Sequence, residues 1–223
     1  MYKNLSGLKF PDSAMIPFFF KNGLHNLTNQ KVLELACSNG NNLSLFASYD
    51  NECIGVDINP QKIEDANYNF ANIFGYKNYS FFASDMFDFI PKNSGINADI
   101  LLIPNVVNYF VRADFLRLLE LLKEHKMYKK DAIFFLRTRS IRDFRYGVGK
   151  MIEPNCFKMA DDYDITGEPG AINTLYQEHE LIQILQEKLN LKDFKLLTYE
   201  NQNLMKNNHI INDSDIVIYG KIS

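Results

Sequence analysis

Two aspartates, Asp57 and Asp85, each close a short apolar run. An earlier run ends in a turn of small and polar residues, Glu34-Leu35-Ala36-Cys37-Ser38-Asn39-Gly40-Asn41-Asn42. Small side chains let a ligand approach the backbone, and Gly40 can take a positive φ. Asp57 follows the turn by about 20 residues, the spacing at which dinucleotide folds set an acidic group on a ribose. A carboxylate there can accept from both ribose hydroxyls. Hydrogen bonds to a charged acceptor contribute roughly 1.5–3 kcal/mol each, enough to anchor a nucleoside. Asp85 is placed to accept from an adenine amino group. Either aspartate alone reads equally well as an ordinary turn residue. Together, at the ends of successive strands and beside a small-residue turn, they point to a nucleoside site.

A second chemistry lies further along. Arg137, Arg139, Arg142 and Arg145 follow another apolar run, and guanidinium groups offer planar, paired donors that match phosphate or carboxylate. Gly147 and Gly149 let the backbone bend around a ligand. The competing reading is a solvated basic loop balanced by Asp143, Asp161 and Asp162. Position in the fold favours an anionic ligand, with Arg137 or Arg139 nearest it. Asn105, Asn108 and Tyr109 follow a separate run, where Asn108 or Tyr109 could orient a substrate and Phe110 reads as packing. Glu168, Asn173, Tyr176 and His179 gather around the start of the last helix. His179 is the histidine nominated for proton transfer, against a capping or packing role; His25, His125 and His209 read as surface or turn residues. With no obvious base, a substrate that is already anionic is favoured. The dinucleotide pattern G-x-G-x-x-G would need glycine at positions 36, 38 and 41, where the chain has Ala36, Ser38 and Asn41, so a nicotinamide cofactor is disfavoured.

These groups need a scaffold, and the apolar pattern supplies one. Strands are predicted over Val32–Cys37, Cys53–Val56, Tyr79–Ala83, Ile100–Ile103 and Ala132–Leu136. Helices are predicted over Asn41–Ser48, from Asn59-Pro60 to a stop at Gly75, over Arg112–Met127, and around Leu181, Leu185 and Leu189. Phe194–Tyr199 and Ile216–Gly220 close the chain as strands with no helix between them, so they pair antiparallel. Strands alternating with helices specify an α/β fold with a mostly parallel sheet and helices on both faces. Ligands in such sheets sit beyond the carboxyl ends of the strands. Residues 1–223 read as a single domain. Residues 139–177 are too long for an ordinary connection and read as a substrate-binding insert. Residues 1–29 read as a partial lid in which Tyr2 could reach a ligand and Phe18, Phe19 and Phe20 are core.

The bulk numbers agree. A chain of 223 residues, 46% hydrophobic, suits one α/β domain. A formal charge of -3 and a pI of about 5.8 give no electrostatic footprint for nucleic acid. Cys37, Cys53 and Cys156 have neither metal-ligand nor disulfide spacing, so no metal site is expected and a reducing compartment is. The opening MYKNLSGLKFPD lacks the apolar core of a signal peptide. No apolar run approaches the roughly 20 residues of a membrane span. The expectation is a soluble, cytoplasmic protein without membrane insertion; a homodimer is compatible with all of this. The abundance of asparagine and lysine reads as coding bias.

The segments VLELACSNGNNLSLFA and CIGVDINPQKIEDA resemble the first two motifs of class I S-adenosylmethionine-dependent methyltransferases. FFASDMFDF resembles the third motif and ADILLIPNVVNYF the fourth, so the likeness spans residues 30–137 in order. The resemblance implies a seven-stranded Rossmann-like sheet with an antiparallel last strand, S-adenosyl-L-methionine as cofactor, and an enzyme. It implies that Glu34, Ala36, Ser38 and Gly40 lie along the methionine part of the cofactor, with Asp57 on the ribose and Asp85 near the adenine. Ile58, Met86 and Asn105 complete that set. Asn108, Tyr109, Arg139 and His179 become the catalytic candidates. Tyr2, Arg137, Arg142, Arg145, Tyr146, Asn173 and Tyr176 become the acceptor-binding ones. Ala36 and Ser38 stand where the family usually has glycine; both are small, so binding is adjusted and not abolished.

RDFRYGVGK and EPGAINTLYQEHEL further resemble methyltransferases of bacterial surface-polysaccharide loci, and the asparagine-rich composition resembles campylobacter proteins, whose capsules carry O-methyl phosphoramidate. That implies O-methylation of a phosphoramidate, a phosphate-bearing group or a nucleotide-linked sugar. The alternatives are a non-catalytic methyltransferase-like module that binds a nucleoside or a partner, and a lipid or protein methyltransferase.

Overall fold

The computed structural model describes residues 2–162, 168–205 and 209–223. Its organising strand is β1 (Lys31–Leu35), in which Val32, Leu33, Glu34 and Leu35 are all fully buried. Burial of consecutive residues is the mark of a strand covered on both faces. β1 pairs in parallel with β2 (Glu52–Asp57) on one side and β4 (Ala98–Pro104) on the other, and β2 pairs in parallel with β3 (Tyr79–Ala83). The crossovers carry α2 (Leu43–Ala47), α3 (Pro60–Tyr68) and α4 (Met86–Lys92), after a preceding α1 (Met15–Lys21).

Local chemistry sets these boundaries. Asn59 caps α3 by accepting from Gln61 N at 3.0 Å and Lys62 N at 3.4 Å, and Pro60 takes the first helical position. α3 runs on into a π-helical turn, Asn69–Phe74, that ends at Gly75 with φ 73°. Helix α4 lies where the sequence predicted no element.

Later elements are α5 (Arg112–Glu124), β5 (Tyr128–Arg139), β6 (Lys150–Glu153), β7 (Cys156–Lys158), β8 (Ile172–Thr174), α6 (Glu178–Leu189), β9 (Lys192–Met205) and β10 (His209–Ile222). The main sheet has seven strands in the order β3-β2-β1-β4-β5-β10-β9, with β9 and β10 antiparallel. This is the predicted mostly parallel sheet with an antiparallel end, surrounded by helices. Its order reverses direction at β1 and β4, the switch point beside which such sheets bind ligands. β6, β7 and β8 form a small antiparallel sheet within residues 139–177, of which 163–167 lie outside the described residues.

The chain divides into two compact units. The first comprises Met1–Ile103, Leu121–Phe134 and Ser223, with Phe18, Phe19, Phe46, Phe70 and Phe89 in its core. The second comprises Pro104–Glu120 and Phe135–Ile222, with Phe115, Tyr176, Leu181, Leu185 and Leu189 in its core. Among the described residues, no helix is long and apolar enough to cross a membrane, and no group of acids, cysteines and histidines could hold a metal ion.

Candidate functional site

In the first unit, the chain leaves β1 through a turn with three alternate residues in the left-handed region: Ala36 at φ 58°, Ser38 at 49° and Gly40 at 73°. Left-handed backbone costs an L-residue roughly 1–2 kcal/mol, so Ala36 and Ser38 are strained where glycine would not be. Gly40 is required for space as well. A Cβ there would meet the rings of Phe70 and Phe81 at 2.9 Å. Cys37 N donates to Val56 O at 3.0 Å and Gly40 N to Cys37 O at 2.9 Å, tying the turn to the end of β2.

Asp57 secures it. Its Oδ2 accepts from Ser38 N at 2.8 Å and its Oδ1 from Asn59 N at 2.9 Å. Each oxygen keeps a lone pair for a ligand hydroxyl. Glu34 is fully buried; Oε1 accepts from Asn42 Nδ2 at 2.7 Å, and Oε2 has no partner among the described residues. Burial raises its carboxyl to about 8, outweighing the Asn42 hydrogen bond, with help from the nearby charges of Asp12 and Asp57. At neutral pH it is therefore an uncharged acid, contrary to its ordinary state. Asp85 is exposed, and its Oδ1 accepts from Phe87 N at 2.7 Å as the cap of α4. Met86 opens that helix, and Ile58 is largely exposed beside Asp57.

The asparagines around this turn are structural. Asn39 Nδ2 donates to Ser6 O at 2.6 Å and Leu8 O at 2.9 Å. Asn69 both accepts from Ser6 N and donates to Ser6 O, each at 2.9 Å. Asn41 Nδ2 donates to Phe10 O at 3.0 Å, and Asn42 Oδ1 accepts from Asp12 N at 2.8 Å. Side-chain amides thus strap residues 6–12 to the turn, a role that reading asparagine as coding bias missed. Tyr2 stacks on Phe10 with ring centroids 5.2 Å apart. Among the described residues Asn39 Oδ1 is a buried acceptor without a partner, and Asp57 has spare lone pairs. The turn is short of donors, so a ligand bearing hydroxyl and ammonium donors, as S-adenosyl-L-methionine does, fits it.

In the second unit, a cavity of about 240 Å³ is lined by Asn105, Asn108, Tyr109, Arg137, Arg139, Asp143, Arg145, Asn201, Asp213 and Asp215. Six of these, Asn105, Asn108, Tyr109, Arg137, Arg139 and Arg145, are sequence candidates brought together. The arginines are neither solvated nor unpaired. Arg137 holds Asp215 Oδ2 through Nε at 3.1 Å and Nη2 at 2.6 Å. Burial raises the Asp215 carboxyl against the pull of the Arg137 charge and hydrogen bonds. Arg145 Nη1 meets Asp143 Oδ1 at 2.9 Å and Asp213 Oδ1 at 3.2 Å, while its Nε meets Glu168 Oε2 at 2.8 Å. Arg139 Nη2 donates to Glu168 Oε1, which also accepts from Tyr109 OH at 2.6 Å. Burial alone would raise the Glu168 carboxyl. The hydrogen bonds of Tyr109 and Arg139 and the charges of Arg139 and Arg145 overcome it and hold that group at about 2.

Asp213, Asp215 and Asn201 had no place in the sequence reading. A usable signal existed: Asp213 and Asp215 are two apart on a strand, which puts both on one face.

Of the catalytic and acceptor-binding candidates, Tyr2 belongs to the first unit, and five in the second unit lie outside this cavity. Arg142 is 43% exposed at its side chain and pairs with Glu178 at 2.5 Å and Glu200 at 2.9 Å. The glutamates on α6 and β9 draw it to the surface. Tyr146 packs edge-on against Phe157. Asn173 is fully buried on β8, with no hydrogen-bond partner for its side-chain amide among the described residues. Tyr176 is a core residue against Phe115, under the Arg112 guanidinium. His179 is exposed in the first turn of α6. None of the five lines the cavity: Asn173 and Tyr176 are buried, Tyr146 packs on Phe157, Arg142 is drawn into surface ion pairs, and His179 faces solvent.

Strand order, post-strand turn and carboxylate at the tip of β2 together define the fold of class I methyltransferases. The chain matches the Methyltransferase domain family over residues 26–188, and it belongs to that family. Its fold is similar to that of a SAM-dependent methyltransferase from Methanosarcina mazei, with 17% identity, a TM-score of 0.60, and coverage of 89% of this chain and 96% of that one. It is also similar to a putative S-adenosylmethionine-dependent methyltransferase from Listeria monocytogenes, at 13% identity and TM-score 0.63, covering 95% and 100%. A third likeness is to magnesium protoporphyrin IX methyltransferase from Synechocystis PCC 6803 with bound SAM, at 13% identity and TM-score 0.55, covering 92% and 76%. No curated protein sequence matches this chain.

Proposed function

We propose that this methyltransferase uses S-adenosyl-L-methionine to O-methylate a small, oxygen-rich acceptor that binds in the arginine- and aspartate-lined cavity. The observation that carries the cofactor reading is the turn after β1, with three left-handed residues and Asp57 locked to Ser38 N. When bound, the cofactor would supply a sulfonium methyl for transfer to the acceptor oxygen, with the electron pair of the C–S bond left on sulfur. The protein's share is alignment and exclusion of water. Asp57 accepts from the ribose hydroxyls, and Asp85 is the candidate beside the adenine, using the oxygen that does not cap α4. Asn108, Tyr109, Arg137, Arg139 and Arg145 hold the acceptor.

The cavity of about 240 Å³ has room for a sugar- or phosphate-sized group, and its lining of arginines, aspartates and asparagines favours an oxygen-rich group over an apolar chain. Phosphoramidates, phosphate-bearing metabolites and nucleotide-linked sugars of surface polysaccharides are the acceptors to screen, scored by release of homocysteine equivalents. Asp215 changes one earlier inference. Its bonds among the described residues are all on Oδ2, so Oδ1 is available as a base and a hydroxyl acceptor no longer lacks one.

Calorimetry with S-adenosylhomocysteine tests the cofactor reading. Losing two ribose hydrogen bonds of roughly 1.5–3 kcal/mol each predicts that Asp57→Ala weakens binding by at least about 100-fold. Arg139→Ala should leave that affinity within a few-fold and abolish turnover. No heat with wild-type protein, or loss of cofactor binding in the arginine variant alone, would overturn the assignment.

A further inference from the structure

Three residues that line the cavity share one carboxylate that does not line it. Three donors from three segments converge on the carboxylate of Glu168: Tyr109 OH from the turn after β4, Arg139 Nη2 from the end of β5, and Arg145 Nε from the loop beyond it. Glu168 itself enters from the start of a turn, closed by Ala171 N donating to Glu168 O at 3.2 Å. The three charged side chains are nearly withdrawn from solvent, at 12% exposure for Arg139, 11% for Arg145 and 13% for Glu168.

The two arginines differ in how they are balanced. Arg145 also faces Asp143 and Asp213. Arg139 has Glu168 as its only carboxylate partner among the described residues, and its Nη1 is buried with no partner at all. A carboxylate has two oxygens, and both are occupied here. A buried, unmatched guanidinium nitrogen is costly to leave, and a group with a third oxygen would have one to offer it.

We infer that Glu168 occupies the place where the acceptor binds through a tetrahedral oxyanion, so that a phosphoryl-type group exchanges with the protein's own carboxylate. This rests on the acceptor assignment made above and narrows it to acceptors bearing such a group. With Glu168 displaced, the lining holds three arginines against three aspartates. The incoming anion then supplies the charge that Glu168 had supplied, and Tyr109 OH, Arg139 and Arg145 regain an acceptor. A neutral sugar could not make that exchange without stranding Arg139.

The test needs no acceptor and no turnover. Inorganic phosphate is titrated at pH 8 into wild-type protein, Glu168→Ala and Glu168→Gln, followed by calorimetry and by ³¹P line broadening. The alanine variant is expected to bind phosphate at least tenfold more tightly than wild type. The glutamine variant, which keeps the volume without the charge, should fall between them. Acetate, with two oxygens, should gain less than phosphate, and adding Arg139→Ala should erase the gain. Equal phosphate affinity in wild type and both Glu168 variants, or a gain that survives Arg139→Ala, overturns the proposal. S-adenosylhomocysteine binding on the same samples separates this from the cofactor reading: phosphate gain without nucleoside binding sinks only the latter, and the converse sinks only the present inference.

Discussion

Glu34 offers the most quantitative check on the cradle. Its carboxyl is fully buried, with Asn42 as its one hydrogen-bond partner among the described residues, and burial pushes it up to about 8 from an ordinary 4.5. The folded protein therefore holds this proton over a range where the unfolded chain has released it. Fewer protons in the unfolded state means that stability falls as pH rises. The contribution is intact below the unfolded value of 4.5 and is lost progressively until pH passes about 8. At about 1.4 kcal/mol per pH unit, the loss is roughly 3 kcal/mol by pH 7 and approaches about 5 kcal/mol above pH 9. Glu34→Gln imitates the protonated acid at every pH. Any constant offset from the extra amide hydrogen cancels in the pH dependence, as do all other titrating groups. Guanidinium unfolding of both proteins from pH 5 to pH 9 should show the variant gaining on wild type by roughly 4 kcal/mol across that range. A difference that stays flat within about 1 kcal/mol would refute the claim that Glu34 is buried as a neutral acid.

Ser38→Gly should stabilise the fold modestly. It relieves roughly 1–2 kcal/mol of left-handed strain at φ 49° while glycine's extra freedom in the unfolded chain returns about 0.5–1; a lower unfolding midpoint than wild type would contradict it. Arg137→Ala should destabilise by about 3 kcal/mol or more, because Asp215 is left buried without its cation; an unfolding free energy within about 1 kcal/mol of wild type would mean that the pair is not desolvated.

How much of this was legible beforehand follows from sequence distance. β1, β2 and β4 announce themselves as continuous apolar runs, and Asn59-Pro60 with Gly75 bracket α3 and its π-helical end by local chemistry alone. α4 escaped notice because its seven residues include Pro91. The small sheet of β6, β7 and β8 escaped because strands of three or four residues carry no period. The small-residue turn and Asp57 could be placed because they sit next to strands that could be placed. The arginine-lined cavity was half visible. Its arginines cluster in sequence, but their partners do not: Arg137 and Asp215 are 78 residues apart, Arg139 and Glu168 29 apart. That Tyr176 and Asn173 are buried apart from the cavity lining was not legible, because a polar group near a helix start says nothing of whether its side chain turns inward. Likewise the asparagines that grip residues 6–12 do so across separations of 30 to 63 residues, beyond any local pattern.

The amide strap has a bearing on how the protein ages. Asn39 precedes Gly40, the pairing most prone to spontaneous deamidation, in which the glycine nitrogen attacks the asparagine side-chain carbonyl and a succinimide forms. Here the attacking nitrogen is engaged with Cys37 O, and the amide under attack is clasped by Ser6 O and Leu8 O in a nearly inaccessible position. Proteolytic trimming of the first ten residues would remove Ser6 O and Leu8 O and release the amide, and the slow hydrolysis that follows would install a negative charge one residue from the Ser38 N that Asp57 holds.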